Sequence, residues 1–163
     1  MAFALDERDL KILAVLQKNG RMTKTELAEH VNLSPTPCWE RLKKLEQSGI
    51  IEGYSANVSL KILGSVSVIF MEAEISSHRA VDFERFEKAV LEIPEIVECW
   101  AVGGGIDYIV KFLCGDVDTY QRLVDKLLNS DIGLRRYYSY VVTKPVKFSQ
   151  IPPLELYEYR NDQ

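Results

Sequence analysis

The sequence predicts an α+β protein in which a helix-turn-helix module is followed by a ferredoxin-like βαββαβ domain. Three observations carry this expectation. Residues 5–49 show helix-type apolar spacing, punctuated by caps and a tight turn. Residues 66–144 alternate strand-like and helix-like segments in the order β-α-β-β-α-β. Between them, residues 55–65 are mixed and polar, with Gly64 near the end, and read as a linker. The expected division is a helix-turn-helix domain over 1–54, a linker over 55–65, and a second domain with a C-terminal tail over 66–163.

The elements follow in order. Asp6 is the N-cap of the first helix, with Leu5 and Leu10 at the spacing of a hydrophobic staple. From Leu10 to Leu16 nearly every residue is apolar, so this helix is buried on several sides until Asn19-Gly20 ends it. Thr23-Lys24-Thr25-Glu26 has capping-box form and opens a second helix with the stripe Leu27, Ala28, Val31. Asn32-Leu33 turns. Ser34 caps a third helix that has Pro35 at its first position and Pro37 still inside the first turn. Gly49 closes it, and Ile50 to Tyr54 reads as a short strand.

In the second domain, Val66–Ile75 reads as a strand. Ala80–Glu92 reads as a helix with Phe83, Phe86 and Val90 on one face. Ile96–Val102 and Asp107–Cys114 are strands joined by Gly103-Gly104-Gly105. Asp118–Asn129 is a helix capped by Asp118, with Gln121 at the box position and the stripe Tyr120, Leu123, Val124, Leu127. Leu134–Lys144 is the last strand, and Pro145 begins a tail containing Pro152-Pro153, Leu154 and Leu156.

Composition narrows the function. The chain has 163 residues, 47% hydrophobic and 27% charged, an ordinary globular balance. No apolar run approaches the roughly 18 residues of a membrane span. The start, Met1 to Asp9, carries three acids and no basic prelude, unlike a signal peptide. Cys38, Cys99 and Cys114 form no CxxC pair, which fits reduced thiols in the cytoplasm. The two histidines, His30 and His78, are too few and too separated for a metal site, and no Gly-x-Ser-x-Gly elbow is present. The expectation is a cytoplasmic protein that is not an enzyme, has no cofactor or metal, and does not meet a membrane.

The net charge of −4 is unevenly spread. Residues 1–60 hold eight Lys/Arg and eight Asp/Glu, so the second part carries the whole deficit. A neutral module still binds DNA if its bases share one face, with modest phosphate affinity per subunit. On a helical projection of the third helix, Cys38, Leu42, Leu45 and Gly49 mark the inner side. Thr36, Glu40, Lys43, Lys44 and Gln47 fall outward, between about 140° and 240° from Cys38. Trp39 and Arg41 lie on the two flanks. The outward set carries hydroxyl, amide, carboxylate and ammonium groups suited to base edges and phosphates in a major groove. Polar outward residues alone favour a solvated helix face; the tight helix-turn-helix before them shifts the balance to DNA. Trp39 packs either on the second helix or on a sugar.

The glycine turn has two readings. Three glycines expose backbone N–H groups and admit another molecule closely. Such a concavity suits a carboxylate, and Asp107 suits an ammonium, so Gly103, Gly104, Gly105, Ile106, Asp107 and Tyr108 form a candidate amino-acid site. The other reading is a hairpin whose Asp satisfies its own backbone. A strand follows the turn rather than a helix, so a phosphate cradle is not expected. The first strand of this domain is apolar on both sides, with Val66, Val68 and Phe70 opposite Ile69, Met71 and Ile75. Two helices cover only one side of a small sheet. The other side is expected to meet a second copy, with Tyr138 and Tyr140 sharing the interface.

Several of these segments together resemble the Lrp/AsnC family. Leu33-Ser34-Pro35-Thr36-Pro37-Cys38, Arg41-Leu42-Lys43-Lys44-Leu45-Glu46, Gly49-Ile50-Ile51 and Gly53-Tyr54 resemble its recognition-helix signature. Asp6, Asp9, Ile12, Leu13, Leu16, Gly20 and Arg21 match its first helix. Gly103, Asp107 and Tyr108 resemble its glycine-led turn. Val142, Lys144, Val146, Lys147 and Ile151-Pro152-Pro153-Leu154 resemble its closing strand and tail. The resemblance implies a winged helix-turn-helix joined to a ferredoxin-like ligand domain. It implies a regulator of transcription that binds double-stranded DNA through Ser34, Thr36, Pro37, Trp39, Glu40, Arg41, Lys43, Lys44 and Gln47. It also implies a small effector, an amino acid or derivative, bound at the glycine turn near subunit contacts, in homodimers and larger rings of dimers. Trp39 departs from the pattern, being bulkier than the aliphatic or small polar residue expected there.

Overall fold

The computed structural model describes residues 5–77, 79–130, 132–147 and 154, without the side chains of Lys61 and Leu63. The expectations placed on Met1, His78, Ile151-Pro152-Pro153 and Leu156 lie outside the described residues. The chain separates into two compact units, residues 1–57 with 147–163, and residues 58–146. No helix among the described residues is long and apolar enough to cross a membrane.

The first unit holds α1 (Glu7–Lys18), α2 (Lys24–His30) and α3 (Pro35–Gln47). Both expected caps form. The Asp6 carboxylate accepts from the Asp9 N–H at 2.9 Å, while Asp9 accepts in return from the Asp6 N–H at 3.1 Å. Thr23 and Glu26 make the same reciprocal pair at α2. Reciprocal caps satisfy two orphan donors at each helix start, worth about 1 kcal/mol each time. Ser34 caps α3 by backbone geometry alone; its side chain makes no cap hydrogen bond, and the first-turn prolines remove donors instead. Asn32 at φ 54° makes the turn between α2 and α3, and Gly49 at φ 75° releases the chain after α3.

Ile12, Leu27, Ala28, Cys38, Leu42 and Leu45 form the centre of this small core. Each fully buried aliphatic side chain contributes roughly 1.5–3 kcal/mol. Ile50 to Tyr54 is not a strand. The Ile51 N–H donates to the Leu45 carbonyl at 3.2 Å, and the Tyr54 hydroxyl donates to Glu46 Oε1 at 2.9 Å. The segment folds back on α3 because the described part of this unit offers no strand for it to pair with. Leu154 of the tail packs against the same core. The sequence places the tail with the second domain, but its apolar residue is satisfied in the first.

The second unit begins with a 3-10 turn at Leu60–Leu63, inside the stretch read as a linker. It continues as β1 (Ser67–Ile75), α4 (Ala80–Leu91), β2 (Ile96–Ala101), β3 (Tyr108–Cys114), α5 (Val117–Asn129) and β4 (Leu134–Val141). The strands form one antiparallel sheet in the order β2-β3-β1-β4, the ferredoxin-like arrangement. Ile69, Met71, Ala73 and Ile75 of β1 and Tyr108, Val110, Phe112 and Cys114 of β3 point to the helices. There they bury Phe86 and Val90 of α4 and Tyr120, Val124 and Leu127 of α5. All three cysteines are free, and burial pushes each thiol up, that of Cys99 to about 11.

The start of α5 and the end of β4 differ most from expectation; the other ends agree to within one residue. The cap of α5 is Asp116, whose carboxylate accepts from the Thr119 N–H at 2.6 Å, rather than Asp118. Both residues have cap chemistry, and it is Asp116 that takes the extended backbone of the cap position. β4 stops at Val141 rather than Lys144, because its partner β1 starts at Ser67 and the last rung is the Val142 N–H to the Val68 carbonyl.

The opposite sheet face has no covering helix. Val68, Phe70 and Glu72 of β1, Ile109 and Leu113 of β3, Trp100 of β2, and Tyr138 and Tyr140 of β4 share it by register. Trp100 is 46% exposed, and Tyr138 and Tyr140 are each 50% exposed. Polar groups on this face are matched in pairs. Tyr140 donates to Glu72 at 3.1 Å and Lys111 pairs with Glu98 at 2.7 Å.

Candidate functional site

The α3 surface is built by its own inner face. Cys38, Leu42 and Leu45 are buried, which fixes the helix in rotation. That rotation leaves Thr36, Pro37, Glu40, Lys43, Lys44 and Gln47 exposed, with Ser34 at the cap. Lys43 and Lys44 supply charge, while Thr36, Glu40 and Gln47 supply directional donors and acceptors. A helix surface of this kind fits the major groove, where base edges present distinct donor and acceptor patterns.

Arg41 is placed elsewhere. Its Nη1 donates to Asp6 Oδ2 at 2.7 Å and to Asp9 Oδ1 at 2.8 Å, tying α3 to the start of α1. The Asp9 and Asp6 hydrogen bonds raise the Arg41 pKa further above its ordinary value. The Asp9 N–H, and then the guanidinium, hold Asp6 below its usual range. With its charge met by two carboxylates, Arg41 is a strut between α3 and the start of α1. Projection of a single helix puts it on a flank but cannot show what the flank faces.

Trp39, on the other flank, is 36% exposed. The Lys24 ammonium of α2 lies 3.1 Å from the centroid of its ring. Both line a groove of about 180 Å³ together with Leu16, Leu27, Leu42 and Tyr54 among others. Of the two sequence alternatives for Trp39, packing on α2 is the one found here. Sequence reasoning missed Lys24 because only the fold brings α2 to that flank.

In the second unit, the turn from Gly103 to Ile106 is closed by the Val102 N–H donating to the Asp107 carbonyl at 2.9 Å. A Cβ at Gly103, Gly104 or Gly105 would meet nothing within 4 Å, so this chain leaves the space around the turn open. Gly104 has φ 150°, a conformation side chains rarely adopt. Asp107 is partly committed to the backbone. Its Oδ2 accepts from the Ile75 N–H at 2.8 Å, and its own N–H donates to the Ala73 carbonyl at 3.0 Å. Tyr108 is buried, and its hydroxyl donates to Glu87 Oε1 at 2.7 Å. Burial, and then that bond, push its pKa well above the usual value.

Asp107 and Tyr108 nevertheless line a depression of about 460 Å³ with Phe83, Glu84 and Glu87 of α4 and Val102. The three glycines do not line it. The α4 residues escaped the sequence reading because Phe83 has core spacing and the glutamates have the spacing of a solvated face. This pocket combines two aromatic rings with three carboxylates, which suits a small molecule carrying a cation and an apolar part.

Comparison with known proteins supplies context for both sites. The profile of winged helix-turn-helix DNA-binding domains matches residues 5–52. The profile of the Lrp/AsnC ligand-binding domain matches residues 68–152. The transcriptional regulatory protein DoeX of Halomonas elongata is 51% identical over 143 residues, covering 88% of this chain and 90% of the relative. The leucine-responsive regulatory protein of Escherichia coli is 39% identical over 145 residues, covering 89% and 88%. Among solved structures, the transcriptional regulator NMB0573 of Neisseria meningitidis, in complex with L-Met, superposes with TM-score 0.88 at 36% identity. That match covers 94% of this chain and 99% of the other. Escherichia coli AsnC gives TM-score 0.83 at 25% identity, covering 93% and 100%.

Proposed function

The chain belongs to the Lrp/AsnC family of DNA-binding transcription regulators, and from that premise we propose how its two units divide the work. The first unit reads operator DNA with the exposed arc of α3. The second binds an amino acid or a derivative in the region of residues 103–108 and the adjoining pocket. Residues 55–65 connect the two. The protein acts in the cytoplasm as a homodimer or a larger assembly of dimers.

The observation that carries the DNA reading is the exposed arc of Thr36, Glu40, Lys43, Lys44 and Gln47, held outward by a buried opposite face. Lys43 and Lys44 contact phosphates in this reading, and Thr36 and Glu40 contact base edges. Replacing both lysines with alanine weakens binding to all sequences alike. It lowers the magnitude of the salt slope by about 0.9 for each phosphate that is no longer neutralised. Thr36→Ala or Glu40→Ala instead changes sequence preference, by about 1–3 kcal/mol at one position of the site. Selection from a random duplex library, followed by salt titration, separates the two effects. Three folded variants with unchanged affinity and preference would remove α3 from the interface.

Support for the effector reading comes from the open turn, the carboxylates of Glu84, Glu87 and Asp107, and the L-Met complex of NMB0573. A ligand ammonium meets the carboxylates, its apolar part meets Phe83, and its carboxylate meets N–H groups at the glycine turn. Because the glycines face open space in one chain, the site reaches completion against another subunit. A ligand so placed favours one assembly over another by its differential affinity and thereby alters DNA binding. Gly103→Val, at a position without positive φ, fills the approach without straining the backbone. It abolishes the thermal shift given by a panel of amino acids while leaving DNA binding in their absence intact.

A further inference from the structure

We propose that Trp39 is a positioning residue for Lys24, and that together they form a phosphate clamp at the edge of the DNA-binding surface, outside the α3 arc. The proposal rests on the reading that α3 faces DNA, and it assigns a role to the residue that departs from the family pattern.

The two flanks of α3 are treated oppositely. On one, Arg41 is surrounded by the carboxylates of Asp6 and Asp9 and its charge is neutralised. On the other, Lys24 is held 3.1 Å from the Trp39 ring centroid. A ring attracts a cation through its quadrupole but carries no net charge. The ammonium therefore keeps its full positive charge, and its N–H groups on the side away from the ring keep their hydrogen-bonding capacity. Lysine normally forfeits considerable side-chain entropy on being fixed. A stacked ammonium has met that cost before DNA arrives.

Position agrees with chemistry. Trp39 stands one turn before Lys43 on the same side of α3, and both are exposed. Lys24 therefore lies beside the Lys43 edge of the arc rather than beneath it. Leu27 and Leu42 line the same groove as Trp39 and Lys24, so the pair sits on an apolar rim. Lys24 opens α2, so its backbone is fixed by the Thr23–Glu26 capping box. A phosphate following the groove past Lys43 meets this second cation on a neighbouring helix. Two bases on different helices fix the angle of docking, which one helix alone leaves free.

The test uses the full-length protein and a fluorescently labelled duplex of arbitrary sequence, so that phosphate contacts dominate. Binding is titrated across a range of salt for wild type, Lys24→Gln, Trp39→Leu, Trp39→Phe and the Lys24→Gln/Trp39→Leu double variant. Lys43→Ala/Lys44→Ala is the control for α3. Lys24→Gln should lower the magnitude of the salt slope by about 0.9 per engaged subunit. Trp39→Leu should weaken binding several-fold in the same direction, and Trp39→Phe should restore part of the loss by keeping a ring. In the Lys24→Gln background, Trp39→Leu should have no further effect on the slope. An unchanged slope in Lys24→Gln overturns the clamp, provided the lysine control does change. If the control is also silent, the reading of α3 fails instead. If Trp39→Leu acts equally with and without Lys24, Trp39 does not work through Lys24 and the proposal falls. Should Trp39→Leu not fold, Trp39→Phe in both backgrounds carries the same comparison.

Discussion

The two units differ in how far one chain finishes them. The helix-turn-helix unit closes its own core, caps α1 and α2 with paired side chains, and presents α3 as a complete surface. The sheet unit closes one face only. Its other face keeps Trp100, Tyr138 and Tyr140 about half exposed, and its glycine turn opens onto empty space. A DNA-reading surface needs only rigidity and outward polarity, which three short helices supply. A ligand-sensing unit coupled to assembly gains from being incomplete, because whatever completes it can be made to depend on ligand. Mutations should therefore act differently in the two units.

The largest effect is expected at the open sheet face. Replacing Tyr138 and Tyr140 together with glutamate puts two charges where a second sheet is expected to pack. Both sites are half exposed in the single chain, so the protomer should fold. Burying unpaired charge at an interface should raise the dissociation constant at least about a hundredfold. Sedimentation at micromolar concentration should then show monomer in place of dimer. A variant that assembles like wild type would mean that this face is not where two copies meet.

Next comes Arg41→Ala, which should destabilise the first unit by about 2 kcal/mol. The Asp9 side chain is only 8% exposed and would lose its charged partner. Urea unfolding measures the loss, and the salt slope of DNA binding should stay that of wild type. A reduced slope with undiminished stability would make Arg41 a DNA contact rather than a strut.

Asp107 offers a finer comparison. Asp107→Ala removes the acceptor for the Ile75 N–H and should cost about 1 kcal/mol of stability as well as the effector response. Asp107→Asn keeps a carbonyl for that bond and removes only the charge. If pairing with a ligand ammonium matters, calorimetric titration with amino acids should show binding lost in both variants while stability is lost in one. Normal binding by Asp107→Asn would make this residue a hairpin clasp alone.

The smallest effect concerns acid. The Asp9 N–H and Arg41 hold the Asp6 carboxyl below its ordinary value of 3.8. A carboxyl lowered by folding stabilises the protein above its unfolded pKa and loses that contribution as pH falls through the folded value. Stability should therefore decline below about pH 4, and less steeply in Asp6→Asn than in wild type. Equal slopes in thermal melts across roughly pH 2–6 would show that the cap does not depend on charge.

Much of this was legible in the sequence for a simple reason: caps, turns and periodic faces are local. Asp6, Thr23-Glu26 and the α3 arc are specified within a few residues, where backbone geometry leaves few options. The strand order of the sheet was readable because its βαββαβ succession packs in few ways. Errors arose where one segment had two equivalent local solutions. Asp116 and Asp118 both have cap chemistry two residues apart, and the structure uses the first. Ile50–Tyr54 has strand composition, yet a strand needs a partner that the described part of its unit does not provide.

Which residues turn inward and which outward along a helix or strand follows from the chain's own periodicity, because 3.6- and 2-residue periods are fixed by the backbone. The helix starts at Asp6 and Thr23 were likewise set by the sequence itself. Tertiary structure alone decided what each outward group meets. It spent Arg41 on Asp6 and Asp9, stacked Lys24 on Trp39, turned an Asp107 oxygen to Ile75, and set Leu154 on the first core. These interactions join residues up to more than a hundred positions apart. Their strength depends on distance and burial, quantities that a linear order of side chains does not contain.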